Sequence, residues 1–493
     1  MPHYTPLTCV WEVTMGCNMR CKHCGSSCTD PLPGELTTEE AFNLIDQMAS
    51  LGLKWVTLSG GEPLTRADWP QLVERLRSRG MIPNLISNGW AIDDRAIESM
   101  RASGIGTLAL SVDGPPLVHD HIRKKGSFER LESAFSRMKA AGITSGAITT
   151  VTKENLHLLP ELKEELIRMS VNSWQLQIGL PMGNLARRPD WLIEPEQTNE
   201  LLDFCFDTSM EGRITVFPAD CIGYYSHKEQ AIKRRSFRMT GDGLWDGCNA
   251  GVRSFGVLHN GDILGCTSIR DKSYVEGNVR QTNLASIWNG ESSFAWRRNL
   301  KKQDLGGDCG ICKYGQKCLG GCPNTRLTMH GSILGENDYC VYNVALKKNR
   351  AFTACSSDPE ALFSEALSDA GQREFQSAGI KLDRLLELDG RHLEALRLKG
   401  FVDFMLGNYE QCLDSNSKAL EIKPGDAYAR KGLGLALVRC GKAQEGIKQM
   451  EEVVAESGYR DADALHDLLH VYRETGMHEQ FRGLQQRAEQ ALR

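Results

Sequence analysis

The chain has 493 residues, with 58 Lys plus Arg against 63 Asp plus Glu, and its net charge of −5 argues against a nucleic-acid or anionic-membrane surface. No apolar run approaches the length of a bilayer span, and residues 1–9 lack the basic and apolar regions of a secretory signal, so a cytoplasmic location is expected. Thiols stay reduced there, and 17 cysteines read as metal ligands before disulfides.

From about residue 9 to 180, short apolar runs alternate with helical patterns. Strands are expected at 9–14, 55–59, 84–87, 107–112, 147–151 and 174–178, with amphipathic helices such as 38–51 and 127–141 between them. Thr37 or Thr38 with nearby Glu40 marks a helix start, and Gly52 a stop. Six β-then-α units imply a parallel sheet with right-handed crossovers, curved toward a partial α/β barrel. Three strand ends carry small or polar residues: Ser59-Gly60-Gly61-Glu62, Ser87-Asn88-Gly89 and Ser111-Val112-Asp113-Gly114. Strand C-termini line the site in such barrels, so these ends are expected to converge.

Just after the first expected strand, Cys17, Cys21 and Cys24 form a CxxxCxxC triplet. Further on, Cys248 and Cys266 enclose Gly261 as C-x12-G-x4-C; Cys309, Cys312, Cys318 and Cys322 follow as C-x2-C-x5-C-x3-C, and Cys340 stands alone. Ten thiols are too many for one ion and fit several iron–sulfur clusters. Zinc sites are the alternative at this spacing. Residues 240–349 are rich in Gly and Cys and weak in periodicity, as suits a metal-organised domain. From residue 358 the pattern is almost purely helical. Gly400 and Gly434, and Gly407 and Gly441, recur at the period of tetratricopeptide (TPR) repeats, with Pro424 closing one unit. A plain helical bundle is the other reading. The expected division is 1–235, 236–350 and 356–493.

The segment Cys17-Asn18-Met19-Arg20-Cys21-Lys22-His23-Cys24 resembles the radical S-adenosylmethionine (radical SAM) family, with His23 where that family usually has an aromatic residue. Gly60-Gly61-Glu62-Pro63 is similar to its GGEP motif. The resemblance implies that the triplet holds a [4Fe–4S] cluster with one open iron, and that the Gly60–Glu62 backbone and carboxylate hold the methionyl amino group. Ser87, Asn88, Ser111 and Asp113 then stand at ribose and carboxylate positions, Arg123 at the carboxylate, and Gly183 beside the adenine. It further implies reductive cleavage of S-adenosylmethionine and hydrogen abstraction by a 5′-deoxyadenosyl radical, fed by a donor such as flavodoxin or ferredoxin.

The seven later cysteines and Gly261 resemble the SPASM domain of peptide- and protein-modifying members. By that resemblance Cys309, Cys312, Cys318 and Cys340 close one auxiliary [4Fe–4S] cluster, and Cys248, Cys266 and Cys322 hold another, three clusters in all. The second auxiliary set lacks a fourth ligand; Asp242, Cys221 or an open iron remain. Cys28 is a candidate functional thiol, whereas His119 and His121 are read as structural. The implied fold is a partial (β/α)6 barrel, a Cys-rich SPASM domain and an all-α TPR-like domain. The implied function is oxidative modification of a ribosomally made peptide or protein subunit, by thioether or carbon–carbon crosslinking, with the substrate docked on the repeats. Anaerobic sulfatase maturation is disfavoured by Thr267, where those enzymes carry Asp; a non-catalytic iron–sulfur scaffold is disfavoured by the intact triplet. Neither a nucleic acid nor a membrane is expected as partner.

Overall fold

Seven strands run parallel and in chain order through one sheet: β1 (Thr8–Thr14), β2 (Trp55–Gly60), β3 (Ile82–Ser87), β4 (Thr107–Ser111), β5 (Thr144–Val151), β6 (Ser173–Ile178) and β7 (Thr215–Pro218). The computed structural model describes residues 4–219, 221–236 and 246–491. β8 (Ser254–Val257) lies parallel to β1 on its other side, and β9 (Asp262–Leu264) and β10 (Gly277–Asn278) extend that edge antiparallel. All six expected strands are present; β7, β8, β9 and β10 are additional. None of these four exceeds four residues, and β7 ends in Pro218.

Alternation along the strands separates core from site. On β6, Trp174, Leu176 and Ile178 are buried, while Gln175 and Gln177 take the opposite face. Helices fill the crossovers. The first, Thr38–Ser50, begins at a capping box: Thr37 Oγ1 accepts from Glu40 N at 3.2 Å, and Glu40 accepts from Thr37 N at 2.8 Å. Gly52 follows in the left-handed region at φ 80°, where a side chain would strain the turn.

Among the described residues the chain divides into two units, one holding 4–219, 221–224, 235–236 and 246–340, the other 225–234 and 341–491. The second unit is all helical. Its helices from Pro359 onward pair as Pro359–Gly371 with Phe375–Leu388, Leu393–Met405 with Tyr409–Ile422, Ala427–Arg439 with Ala443–Glu456, and Ala462–Glu474 with His478–Ala491. Successive pairs begin about 34 residues apart, the step noted for repeat proteins. Small residues set the close approaches: a Cβ on Gly434 would lie 2.8 Å from Gly446 O, and one on Gly400 2.5 Å from Asn416 Nδ2. His227 stacks edge-on against Phe375 at 4.8 Å in this same unit. No described helix is long and apolar enough to cross a membrane.

Candidate active site

The chain leaving β1 is stitched to the chain leaving β2. Gly61 N donates to Thr14 O and Glu62 N to Gly16 O, both at 2.8 Å. A Cβ on Gly60 would run into Thr14 O, and one on Gly61 would sit 2.7 Å from Gly16 C, so only glycines allow this approach. Cys17 follows at once, its N donating to Thr29 O at 2.7 Å. Backbone pairing therefore places the first thiol, and Asn88 Nδ2 lies 3.9 Å from its Sγ.

Glu62 is fully buried. One carboxylate oxygen accepts from Ser87 Oγ (2.9 Å) and Leu64 N (3.2 Å), and the other from Asn88 N (2.7 Å). Burial pushes its pKa up to about 6 despite these donors. Glu62 thus ties the ends of β2 and β3 together. Asn88 Nδ2 continues the chain of contacts to Asn18 Oδ1, inside the triplet, at 2.7 Å.

The end of β4 is organised around buried Asp113. Its Oδ1 accepts from Thr150 N at 2.9 Å, and its Oδ2 meets His23 Nε2 at 2.9 Å and the Arg123 Nε. Burial opposes ionisation, yet Arg123 and His23 hold the carboxyl well below the usual carboxylate range. Arg123 Nη1 reaches within 4.0 Å of Cys21 Sγ. His119 Nδ1 accepts from Asp113 N at 3.1 Å, and burial lowers this imidazole to about 3, so it stays neutral as an acceptor. His121 lies at the surface, 3.2 Å from Lys22 Nζ.

Two pairings escaped the sequence. His23 bridges the triplet to Asp113; its only sequence signal was standing at an aromatic position. Buried Glu12 pairs with Arg270, which also donates to Ser26 Oγ at 2.6 Å. Near them, a hydrogen bond from the Cys28 thiol brings Cys24 down to about 5, whereas burial raises Cys17 and takes Cys21 to about 11.

These elements surround a cavity of about 500 Å³. Of the expected residues, Cys17, Cys21, Cys24, Gly60, Gly61, Ser87, Asn88, Ser111 and Arg123 line it, together with Cys266 and Cys322. Glu62, Pro63 and Asp113 stand behind the lining. Gly183 packs on the triplet: at φ 53°, a Cβ there would lie 2.5 Å from Cys24 O and 2.6 Å from Gly25 O, and the next residue donates from Asn184 N to Cys24 O at 2.9 Å. Cys28 and Cys221 also line the cavity. Asp242 lies outside the described residues.

The remaining thiols gather on short helices. Cys309 lies in Gly307–Ile311, with Cys312 as its cap, and Cys318 ends Gly315–Cys318. Asn337 N donates to Cys309 Sγ at 3.4 Å, three residues before Cys340. Cys322 N donates to Tyr224 Oη at 3.1 Å, joining the Cys221–Tyr224 loop to this region. Cys248 Sγ accepts from Ala250 N at 3.4 Å. None of the 17 cysteines is in a disulfide. Among the described residues, no three His, Cys, Asp or Glu side chains are close enough to share a single ion. Arg326, 1% exposed, packs against Gly320 in the bend between Cys318 and Cys322, and among the described residues its Nε and Nη1 have no partner. A buried guanidinium there suits an anionic centre, and clusters ligated by thiolates are anionic.

Comparison with known proteins bears on this geometry. Residues 11–166 match the radical SAM superfamily model, and 248–313 match the model for SPASM, an iron–sulfur cluster-binding domain. An AdoMet-dependent heme synthase from Oleidesulfovibrio alaskensis is 32% identical over 347 residues, covering 67% of this chain and 86% of that protein. A mycofactocin maturase from Mycobacterium tuberculosis is 26% identical over 339 residues, covering 68% and 83%. Streptococcus suis SuiB bound to S-adenosylmethionine has the same fold over 68% of this chain and 76% of its own, with a TM-score of 0.56 at 16% identity.

Proposed function

Because this chain belongs to the radical SAM superfamily and carries a SPASM iron–sulfur cluster-binding domain, we propose that it oxidatively modifies a peptide or small protein, forming a thioether or carbon–carbon crosslink. In this reading Cys17, Cys21 and Cys24 hold the reactive [4Fe–4S] cluster, Cys309, Cys312, Cys318 and Cys340 one auxiliary cluster, and Cys248, Cys266 and Cys322 the other. When bound, the reactive cluster and S-adenosylmethionine supply a 5′-deoxyadenosyl radical, with the electron coming from a flavodoxin- or ferredoxin-like donor. The protein's part is placement. Gly60 and Gly61 present bare backbone to the cofactor, with Ser87, Asn88 and Ser111 beside them. Glu62 and Asp113 act from behind, fixing the strand ends and holding Arg123 with Nη1 facing Cys21. The helical unit serves as the docking surface for a protein substrate.

One observation carries the choice of substrate. The two arginines lining the cavity, Arg123 and Arg270, are both paired with carboxylates, Asp113 and Glu12, and apart from Glu12, His23 and the cysteines its polar lining is neutral, as at Gln175, Gln177, Thr150 and Asn324. A neutral peptide segment suits that lining better than a polyanion. The heme synthase likeness favours a second reading, oxidation of a tetrapyrrole. Anaerobic assays of reconstituted protein decide between them. Peptides encoded beside this chain should lose two hydrogens in step with 5′-deoxyadenosine release. Turnover of a tetrapyrrole with no change in any such peptide would refute the first reading.

A further inference from the structure

We propose that Arg326, packed against the bend between Cys318 and Cys322, is a partner shared by both auxiliary clusters, where its charge makes each cluster a better electron acceptor. The proposal rests on the auxiliary-cluster reading above and goes beyond it by assigning a residue that the cysteine pattern does not include.

The placement begins with the helix Pro323–His330, which starts directly after Cys322. Helical side chains lean back over the preceding turn, so Arg326 is directed toward Cys322, whose carbonyl accepts from Arg326 N at 3.4 Å. The chain between Cys318 and Cys322 is bent by three successive residues in the left-handed region: Leu319 at φ 49°, Gly320 at 77° and Gly321 at 67°. The guanidinium lies against that bend. A Cβ on Gly320 would be 2.9 Å from Arg326 Cζ and 3.0 Å from both Nε and Nη1. Asn337 closes the far side, donating from N to Cys309 Sγ and from Nδ2 to Gly320 O, both at 3.4 Å.

The guanidinium is 1% exposed, and among the described residues its Nε and Nη1 have no hydrogen-bond partner. Burial lowers its pKa, and the groups that oppose this are Cys309, Cys322, Cys318 and Tyr224, with no carboxylate among them. Among the described residues, no carboxylate takes the role that Asp113 plays for Arg123. An arginine with a purely structural role is normally paired or solvated, because its fork of donors is costly to bury unmet. A thiolate-ligated cluster beside the Cys318–Cys322 bend would satisfy the charge and the fork together. Reduction by one electron adds negative charge to a cluster, and a fixed cation stabilises the reduced form more than the oxidised one. Substrate oxidation after hydrogen abstraction releases one electron, and Arg326 favours its transfer to either cluster.

The test uses the full chain, reconstituted anaerobically, with iron and sulfide counted before an EPR-monitored redox titration. Arg326→Gln should retain iron and sulfide while the midpoints of both auxiliary clusters fall by about 59 mV or more, a tenfold change for a one-electron couple. The midpoint of the Cys17–Cys24 cluster should stay in place. Unmoved auxiliary midpoints at full iron content overturn the proposal, and so does a shift confined to one cluster. Zinc in place of iron at the later cysteines of the unmodified protein would instead refute the cluster reading itself. Gly320→Ala covers the case in which Arg326→Gln fails to load, since its Cβ displaces the guanidinium without removing the charge. Downward shifts in both auxiliary midpoints support the assignment, and unchanged ones overturn it.

Discussion

Replacing His119 by Asn isolates one buried imidazole from the rest of the site. His119 is fully buried, accepts from Asp113 N at 3.1 Å and has no partner for Nε2 among the described residues. Burial lowers its pKa from 6.5 to about 3. The folded state therefore keeps it neutral while the unfolded chain takes up a proton below about 6.5. Its contribution is complete above that pH and is lost as pH falls, at about 1.4 kcal/mol per unit. Between pH 8 and pH 5 the loss comes to about 2 kcal/mol. Because pH 5 lies well above the folded value, that figure barely depends on where the folded value sits. Asn offers an oxygen acceptor for Asp113 N and does not titrate. Denaturant unfolding of both proteins across this range, compared as a difference, cancels every other titrating group. The difference should narrow by about 2 kcal/mol toward pH 5. A difference independent of pH would mean that His119 is protonated or solvated in the folded state, and the neutral-acceptor account of the β4 end would be wrong.

Gly61→Ala should cost about 2–3 kcal/mol, because its Cβ must push back Gly16 and break the Gly61–Thr14 and Glu62–Gly16 hydrogen bonds. It should also abolish 5′-deoxyadenosine production; unchanged melting and cleavage would refute the stitching role. Asp113→Asn should leave the fold assembled but release Arg123, reducing S-adenosylmethionine affinity at least tenfold by equilibrium binding. Undiminished affinity would show that Arg123 needs no such anchor. Cys221 lines the cavity with Cys266 and Cys322, and its loop is held to Cys322 through Tyr224. Cys221→Ala should therefore convert one auxiliary cluster to a [3Fe–4S] form on mild oxidation, read by EPR, while Asp242→Ala should not. The reverse result would assign the ligand to Asp242.

The parallel sheet was legible because each strand carries a run of apolar residues between turn signals, and the helix start at Thr37 because a capping box is a local device. β7 and β8 were not legible. Four residues such as Thr215–Pro218 carry too little alternation, and their pairing is decided by distant partners. The site residues were visible as types, but their partners were not. Glu62 read as a cofactor contact; the sequence did not show that its carboxylate also accepts from Ser87, Asn88 and Leu64. Arg326 is one charge among 58 Lys and Arg in the sequence, and only the fold packs it against the turn between Cys318 and Cys322. Sequence spacing reports what is close along the chain, whereas compensation of a buried charge is a property of the assembled core.

That distinction also governs substrate choice. A substrate bearing several carboxylates must replace their hydration with cations or donors as it enters a cavity. Arg270 and Arg123 are already neutralised by Glu12 and Asp113, so neither pair brings net positive charge to the cavity. Glu12→Gln removes one of these carboxylates and leaves Arg270, which lines the cavity, with an uncompensated charge. The variant should gain affinity for polycarboxylate ligands such as tetrapyrroles, by tenfold or more, and gain nothing for a neutral peptide. Equal tetrapyrrole affinity in both proteins would mean that Arg270 is not held back by Glu12, and the charge argument for a peptide substrate would fall with it.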